Sequence, residues 1–304
     1  MKTYLFCGAL VASFANCSYA VDIKAAVSPG YDSNPYRLAD NLDHDEAWFV
    51  DSNFLVSQRL GQFKISGRIK NREYENSFND ADVLTGSLKG LYKNKNILLG
   101  QKINSRLSVE TGFKDKTYVS RSTGSVGLSG AQEIGDRYDY DYWKLLGSSS
   151  IKLSQNVSTA LTLKYNNRSY DDQNLAGLST LDYEQVNLLN TWTYRNNQHN
   201  KFGLTLAVGE RDYDDRRKKT KAGALVPDSD LKYFYHSIEL SHLCRLTSKL
   251  TADVGIKYEE RTDNGFGYYD TDKLLYTADL LYKLDTGVKL FLKTRYEDYE
   301  YNNS

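Results

Sequence analysis

Along most of the chain, apolar and polar side chains alternate, the period-two signature of β-strands that present one greasy and one polar face. The clearest case ends the sequence, where Val288, Leu290, Leu292, Thr294 and Tyr296 share one face and Lys289, Phe291, Lys293, Arg295 and Glu297 the other. Roughly ten alternating residues capped by tyrosines match a tilted strand crossing a hydrocarbon layer, with aromatic rings at the headgroups. The first such segment opens at Val21, with Val21, Ile23, Ala25 and Val27 set against Asp22, Lys24, Ala26 and Ser28. Between the two lie repeats of the same design, among them Leu107, Val109, Thr111 and Phe113, then Leu204, Leu206 and Val208, and then Leu250, Ala252, Val254, Ile256 and Tyr258.

The connections are unequal, and that inequality orders the strands. Arg59 to Gln62, Ser154 to Asn156, Arg195 to Gln198, Arg245 to Ser248 and Leu284 to Gly287 are short turns, whereas Pro29 to Glu46, Glu73 to Asp82, Tyr118 to Tyr138 and Glu210 to Asp230 are long polar loops. Short turns at one end and long loops at the other are the layout of outer-membrane barrels, with the short end in the periplasm. The expected fold is therefore all-β, an antiparallel up-and-down transmembrane β-barrel of about 12–14 strands over residues 21–304. Single-chain bacterial barrels normally have an even number of strands, so a count near thirteen carries the expectation that a final descending strand is missing. In one place the alternation fails: Ile97, Leu98, Leu99 and Ile103 do not continue one face between Lys93 and Arg106, and a bulge or longer inner turn is expected there.

Ahead of the first strand, Met1-Lys2-Thr3 is followed by an apolar run to Ala15 and by Ser18-Tyr19-Ala20, the form of a cleaved secretory signal peptide over residues 1–20. Cys17 does not read as a lipid attachment site, because Asn16 precedes it where a small residue is needed. With Cys7 and Cys17 removed, Cys244 is alone and no internal disulfide can form. Downstream, no apolar run approaches the ~20 residues of a spanning helix. The mean hydropathy of −0.59 is no obstacle, since a barrel gives only alternate residues to lipid. The 25 Tyr and 3 Trp suit a membrane interface, where a ring is buried and its polar end stays wet. A secreted β-sandwich fits less well, because its strands average ~5–6 residues. A formal net charge of zero gives nucleic acid no claim as a partner.

Charge matters by face. The inward set is basic: Lys64, Arg68, Lys70, Lys114, Lys116, Lys144, Lys152, Lys164, Arg168, Arg211, Lys257, Lys289, Lys293 and Arg295 outnumber Asp51, Glu110, Glu239, Asp253, Glu259, Asp279 and Glu297. Fixed charge around a confined channel sets ion selectivity, so small anions or an anionic polymer are the expected passengers. The competing reading is that these cations pair with neighbouring acids and only fill a polar interior. Acidic loop segments at Asp32 to Glu46 and Glu73 to Asp82 could bind divalent cations bridging lipopolysaccharide, although no calcium-loop spacing appears and a solvated loop is the plainer reading. His44, His199, His236 and His242 are scattered, with no Cys/His cluster, so no metal site or cofactor is expected. No His has a Ser and an acid placed by strand register to serve it, so no catalytic set is expected either.

Directly after the first strand, Ser28-Pro-Gly-Tyr-Asp-Ser-Asn-Pro-Tyr-Arg37, together with the tyrosine-rich end Tyr296-Glu-Asp-Tyr-Glu-Tyr-Asn-Asn-Ser304, resembles the β-barrel porin families of Gram-negative bacteria whose members accompany exopolysaccharide or biofilm-matrix genes. The resemblance implies an outer-membrane protein helping a polysaccharide leave the cell. Its implied partners are outer-membrane lipid, lipopolysaccharide and polysaccharide export machinery. It assigns no individual functional residue. A structural or adhesive surface barrel with a blocked lumen is the alternative.

Overall fold

The computed structural model describes residues 21–32, 35, 46–75, 80–98, 100–117, 119, 126–129, 132–171, 179–197, 199–285 and 289–301. The expected signal segment 1–20, His44 and most of the acidic loop after Asp32 lie outside these residues. The strands are β1 (Val21–Asp32), β2 (Ala47–Leu60), β3 (Phe63–Tyr74), β4 (Val83–Leu98) and β5 (Gln101–Lys116), followed by a two-stranded ribbon of β6 (Leu128–Ser129) and β7 (Gln132–Glu133) and a 3-10 turn at Gly135–Tyr138. After it come β8 (Tyr140–Lys152), β9 (Val157–Tyr170), β10 (Tyr183–Arg195), β11 (Asn200–Tyr213), β12 (Lys232–Arg245), β13 (Leu250–Asp263), β14 (Thr271–Lys283) and β15 (Lys289–Tyr301).

All strands but the small ribbon join one thirteen-stranded antiparallel sheet, each beside its neighbours in sequence, from β1 at one edge to β15 at the other. The all-β, up-and-down architecture and the strand count expected from the alternation hold. β1 and β15 do not pair with each other, so the sheet is not closed. Its short connections are 61–62, 99–100, 153–156, 196–199, 246–249 and 284–288, and the opposite end carries every long one. At Gly61 and Gly100 the φ angles of +62° and +76° explain why glycine holds these tight turns.

Residues opposite one another in an antiparallel register share a face, so the pairing tests the alternation strand by strand. Leu161, Asn190, Leu206, Ile238 and Tyr258 form one continuous outward row. Another outward row runs from Trp192 near the short-turn end through Leu204, Leu240 and Ile256 to Tyr276 and Tyr296 near the long-loop end. A single hydrogen-bonded row thus climbs the strands as it crosses the sheet, which is the stagger of tilted barrel strands.

The packing is inside out for a water-soluble protein. Among the described residues, buried apolar side chains are confined to Ala47, Ala81, Val119, Ile134, Tyr183, Tyr213, Leu231 and Tyr233, all at the long-loop end, while Val27, Leu163, Leu206, Leu240, Val254 and Leu290 stand exposed along the strands. Burial of apolar area normally stabilises a fold at ~25 cal/mol per Å². Here that area faces outward in a continuous band. Aromatic pairs border it on both sides: Tyr31 with Trp48 and Trp143 with Tyr165 toward the loops, Phe63 with Tyr92 and Phe202 with His242 toward the turns.

Several expected boundaries are corrected. The break between Lys93 and Arg106 is neither a bulge nor a longer turn: β4 and β5 pair without interruption from Val83↔Lys116 to Leu98↔Gln101. Beyond Lys93 and Ile103 this ribbon outruns its neighbours β3 and β8. With no sheet on either side, its side chains have no reason to keep one face apolar. The loop expected from Glu210 starts after Tyr213, because Glu210 and Asp212 continue β11 opposite Lys232 and Phe234. β3 likewise runs through Tyr74, and β1 runs through Pro29 to Asp32. Proline has no N–H to donate, and an edge strand tolerates that loss.

Candidate functional site

Lys289 aside, the basic residues expected to point inward lie on the polar face of the sheet, but the face is not uniform. On β13 to β15 the charges are compensated: Lys257 binds Glu259 at 2.5 Å, Lys273 binds Glu297 at 3.4 Å, Lys293 lies 3.6 Å from Asp279, and Arg295 also contacts Glu297. Lys289 stands opposite Lys283 in the register at the turn end. Lys257, Lys293 and Arg295 thus make the pairings with neighbouring acids that the filler reading of the sequence describes. β3 carries Lys64, Arg68 and Lys70 in a row with Arg72, and of these Arg72 makes a two-pronged bond to Asp51 at 2.7 and 2.8 Å.

From β4 to β11 the balance changes. A cleft of about 290 Å³ opens on the polar face, lined by Lys89, Lys144, Lys164, Arg168 and Arg211 against the single carboxylate of Glu110. Glu110 is already engaged, accepting from Lys89 at 2.6 Å and from the Tyr142 hydroxyl at 3.1 Å. Tyr142 reaches it because Gly112 leaves the strand bare: a Cβ there would stand 2.8 Å from the Tyr142 hydroxyl and 2.2 Å from the Gly86 carbonyl oxygen. Lys144 faces Glu110 across the β5–β8 pair, yet its Nζ sits 3.9 Å from the Tyr142 ring centre.

Among the described residues, aromatic rings, and not carboxylates, hold the arginines in and beside this cleft. Arg168 lies 4.5 Å from the Tyr140 centroid and 5.4 Å from Tyr183. Arg211 lies 4.3 Å from Tyr183 and 5.4 Å from Tyr235, and donates to Gln185 Oε1 at 3.2 and 2.9 Å. Beyond them Arg261 covers Tyr233 at 4.7 Å, and Arg216, from the connection after β11, lies between Tyr213 at 5.2 Å and Tyr269 at 5.0 Å. The register explains the stack, since Tyr183 is opposite both Arg168 and Tyr213, and Arg211 is opposite Tyr233. A ring quadrupole attracts a cation but carries no net charge. These guanidiniums are thus oriented without being neutralised.

The connection after β11 is itself ordered. Leu231 donates its N–H to the Arg216 carbonyl at 2.7 Å, Val226 to Lys218 at 2.9 Å and Thr220 to Ala224 at 2.8 Å, which folds the segment back on itself. Leu231, fully buried, packs among Tyr183, Tyr213 and Tyr233. Burial pushes the Asp214 carboxyl up from its usual range, and Asp182, Glu184 and Asp212 push it further. Asp139, just before β8, is raised to about 7, mainly by burial and also by Asp115, Asp136 and Asp171, against the Lys116 N–H it accepts at 2.6 Å.

Of the inward cations expected from the sequence, Lys144, Lys164, Arg168 and Arg211 line this cleft; Lys89, which lines it too, and Arg72 were passed over although their parity was legible, and the loop of Arg216 gave no parity to read. His236 and His242 face outward, and His242 stacks on Phe202 at 4.3 Å. Among the described residues no group of His, Cys, Asp and Glu is placed to hold a metal ion.

No family model matches the chain, and no curated protein matches it. Among solved structures, the chain is similar to the NanC porin at 12% identity and a TM-score of 0.40, covering 86% of this chain and 99% of that one. It is similar to a loop-deletion mutant of OmpT, an outer membrane protein of Vibrio cholerae, at 11% identity and a TM-score of 0.47, covering 93% and 95%. It is also similar to the Pseudomonas putida toluene transporter TodX, at 10% identity and a TM-score of 0.38, covering 92% and 86%.

Proposed function

We propose that this chain is a porin-like β-barrel of the Gram-negative outer membrane whose lumen favours anions, and that it assists export of an anionic exopolysaccharide. The observation that carries the reading is a single sheet with opposite faces: an exposed aliphatic band between aromatic borders on one side, and on the other a cleft where five cations meet one carboxylate. In water the first face would be an aggregation surface. Against acyl chains it is the stabilising surface, and its surroundings are membrane lipid and lipopolysaccharide. The second face then lines an aqueous passage, where fixed positive charge raises the local concentration of anions.

The test is conductance of the purified full chain in planar bilayers under a KCl gradient. Expected is a reversal potential on the anion side, moved toward cation preference by the Lys144→Glu, Lys164→Glu double variant. Electrical silence would favour the second reading, a surface barrel with a closed interior, to which the inward-packed Arg216–Leu231 segment lends support. For the export role, a deletion strain should retain acidic polymer, rescued by the wild type and poorly by the double variant.

A further inference from the structure

We propose that the β8–β11 cleft is a binding subsite for a carboxylated sugar residue, with Arg168 receiving the carboxylate and Asn166 a ring hydroxyl. This rests on the pore reading for its biological setting, but not for its chemistry.

Three observations converge. The first is unspent donors. Arg168 is half-buried, its Nε has no hydrogen-bond partner among the described residues, and its Nη1 donates to the Tyr170 hydroxyl across a long 3.4 Å. A buried, unsatisfied donor is costly, and the Nε edge of a guanidinium is the side that grips a carboxylate with two parallel bonds. Tyr140 and Tyr183 fix the plane of that fork without consuming its charge. The second is an unspent acceptor on the same face. Asn166 donates through Nδ2 to the Tyr183 hydroxyl at 3.4 Å, and its Oδ1 is buried with no partner among the described residues. Two residues apart on one strand face, the two sites stand ~6.7 Å apart, a span that suits groups at opposite sides of a six-membered ring. Sulfate would satisfy the cations but has no hydroxyl for Asn166.

The third is size. At about 290 Å³ the cleft lies at the bottom of the range of small-molecule sites, ~300–1,000 Å³, so it takes a chain one ring at a time. Lys144, Lys164 and Arg211, which also line it, supply the field that attracts a repeating acid. The compensated β13–β15 side of the same face offers neither feature.

The experiment is calorimetric titration of the detergent-solubilised full chain with trigalacturonate, maltotriose and sulfate. Trigalacturonate is expected to bind and the other two to bind at least tenfold more weakly. Arg168→Lys, which keeps the charge but loses the fork, should weaken trigalacturonate about tenfold or more, and Asn166→Asp should do the same by adding an acid to the cleft. Lys249→Gln, at the distant turn end, should change nothing, and unaltered heat-modifiable migration shows each variant folded. Equal binding of sulfate overturns the sugar in favour of a general anion patch, equal binding of maltotriose overturns the role of charge, and an unaffected Arg168→Lys overturns the assigned grip. A chain that conducts anions yet ignores trigalacturonate refutes this subsite and spares the pore, whereas a silent chain that binds it refutes the pore and spares the subsite.

Discussion

Leu206→Lys is the sharpest test of which face meets lipid. Leu206 is 46% exposed on the outward face of β11, between Asn190 and Ile238. It lies four residues from Phe202, whose ring stacks on His242 in the turn-side aromatic border. Four residues at ~3.4 Å each, tilted by ~40°, give ~10 Å of depth. In an apolar band ~25 Å tall that places Leu206 close to the midplane, where lysine costs ~2–4 kcal/mol. The folded-to-unfolded ratio should therefore fall about 30-fold to about 900-fold. Thr205→Lys is the matched control: one residue away, it faces the polar side, where its hydroxyl meets Thr191 at 3.1 Å, and it should cost under ~1 kcal/mol. Thr262→Lys, outward but beyond Tyr258 toward the loops, should fall near the ~0–1 kcal/mol of the interface. The measurement is denaturant unfolding from phosphatidylcholine liposomes, followed by tryptophan fluorescence and extrapolated linearly. Equal losses at 205 and 206, or a purified chain that stays monodisperse without detergent, would refute the assignment of faces.

Two further outcomes follow from particular contacts. Gly112→Val should cost ~1–3 kcal/mol, because its Cβ collides with the Gly86 carbonyl and the Tyr142 hydroxyl, whereas Gly90→Val, with open space around it, should be close to neutral; thermal unfolding compares them. Asp139, at about 7 when folded against 3.8 in an unperturbed chain, holds a proton that the unfolded state has already released. Its contribution to stability therefore falls as pH rises from roughly 4 to 7 and is level above that. Carboxyl carbon NMR should find a titration near neutrality, Asp139→Asn should remove that slope, and a midpoint near 4 would contradict the burial argument.

Outside the far end of the β4–β5 ribbon, face assignment was legible because alternation is a local property: Lys164 between Leu163 and Tyr165 declares its side without reference to any other strand. Strand ends were harder to read. Glu210 and Asp212 are polar yet outward, since they sit above the aromatic border, and polarity alone makes them look like loop. The β4–β5 ribbon misled for the opposite reason: Ile97 is 71% exposed on a segment with no sheet beside it, so nothing selects one apolar face. Pairing was out of reach altogether. Whether Lys293 meets Asp279, or Arg168 meets Tyr140 in place of an acid, depends on cross-strand register, which the sequence of one strand does not contain. Arg216 over Tyr269 joins two connections far apart in the chain, and no periodicity announces such a contact.

Rings and carboxylates differ as counter-groups in what they leave behind. A tyrosine face orients a guanidinium and removes none of its charge, whereas the carboxylates beside Lys257 and Lys293 cancel those lysines as seen from a distance. One wall of the same surface thus projects a positive field into the water before it while the other is close to silent, and added salt, through its shorter screening length, weakens the field of the first.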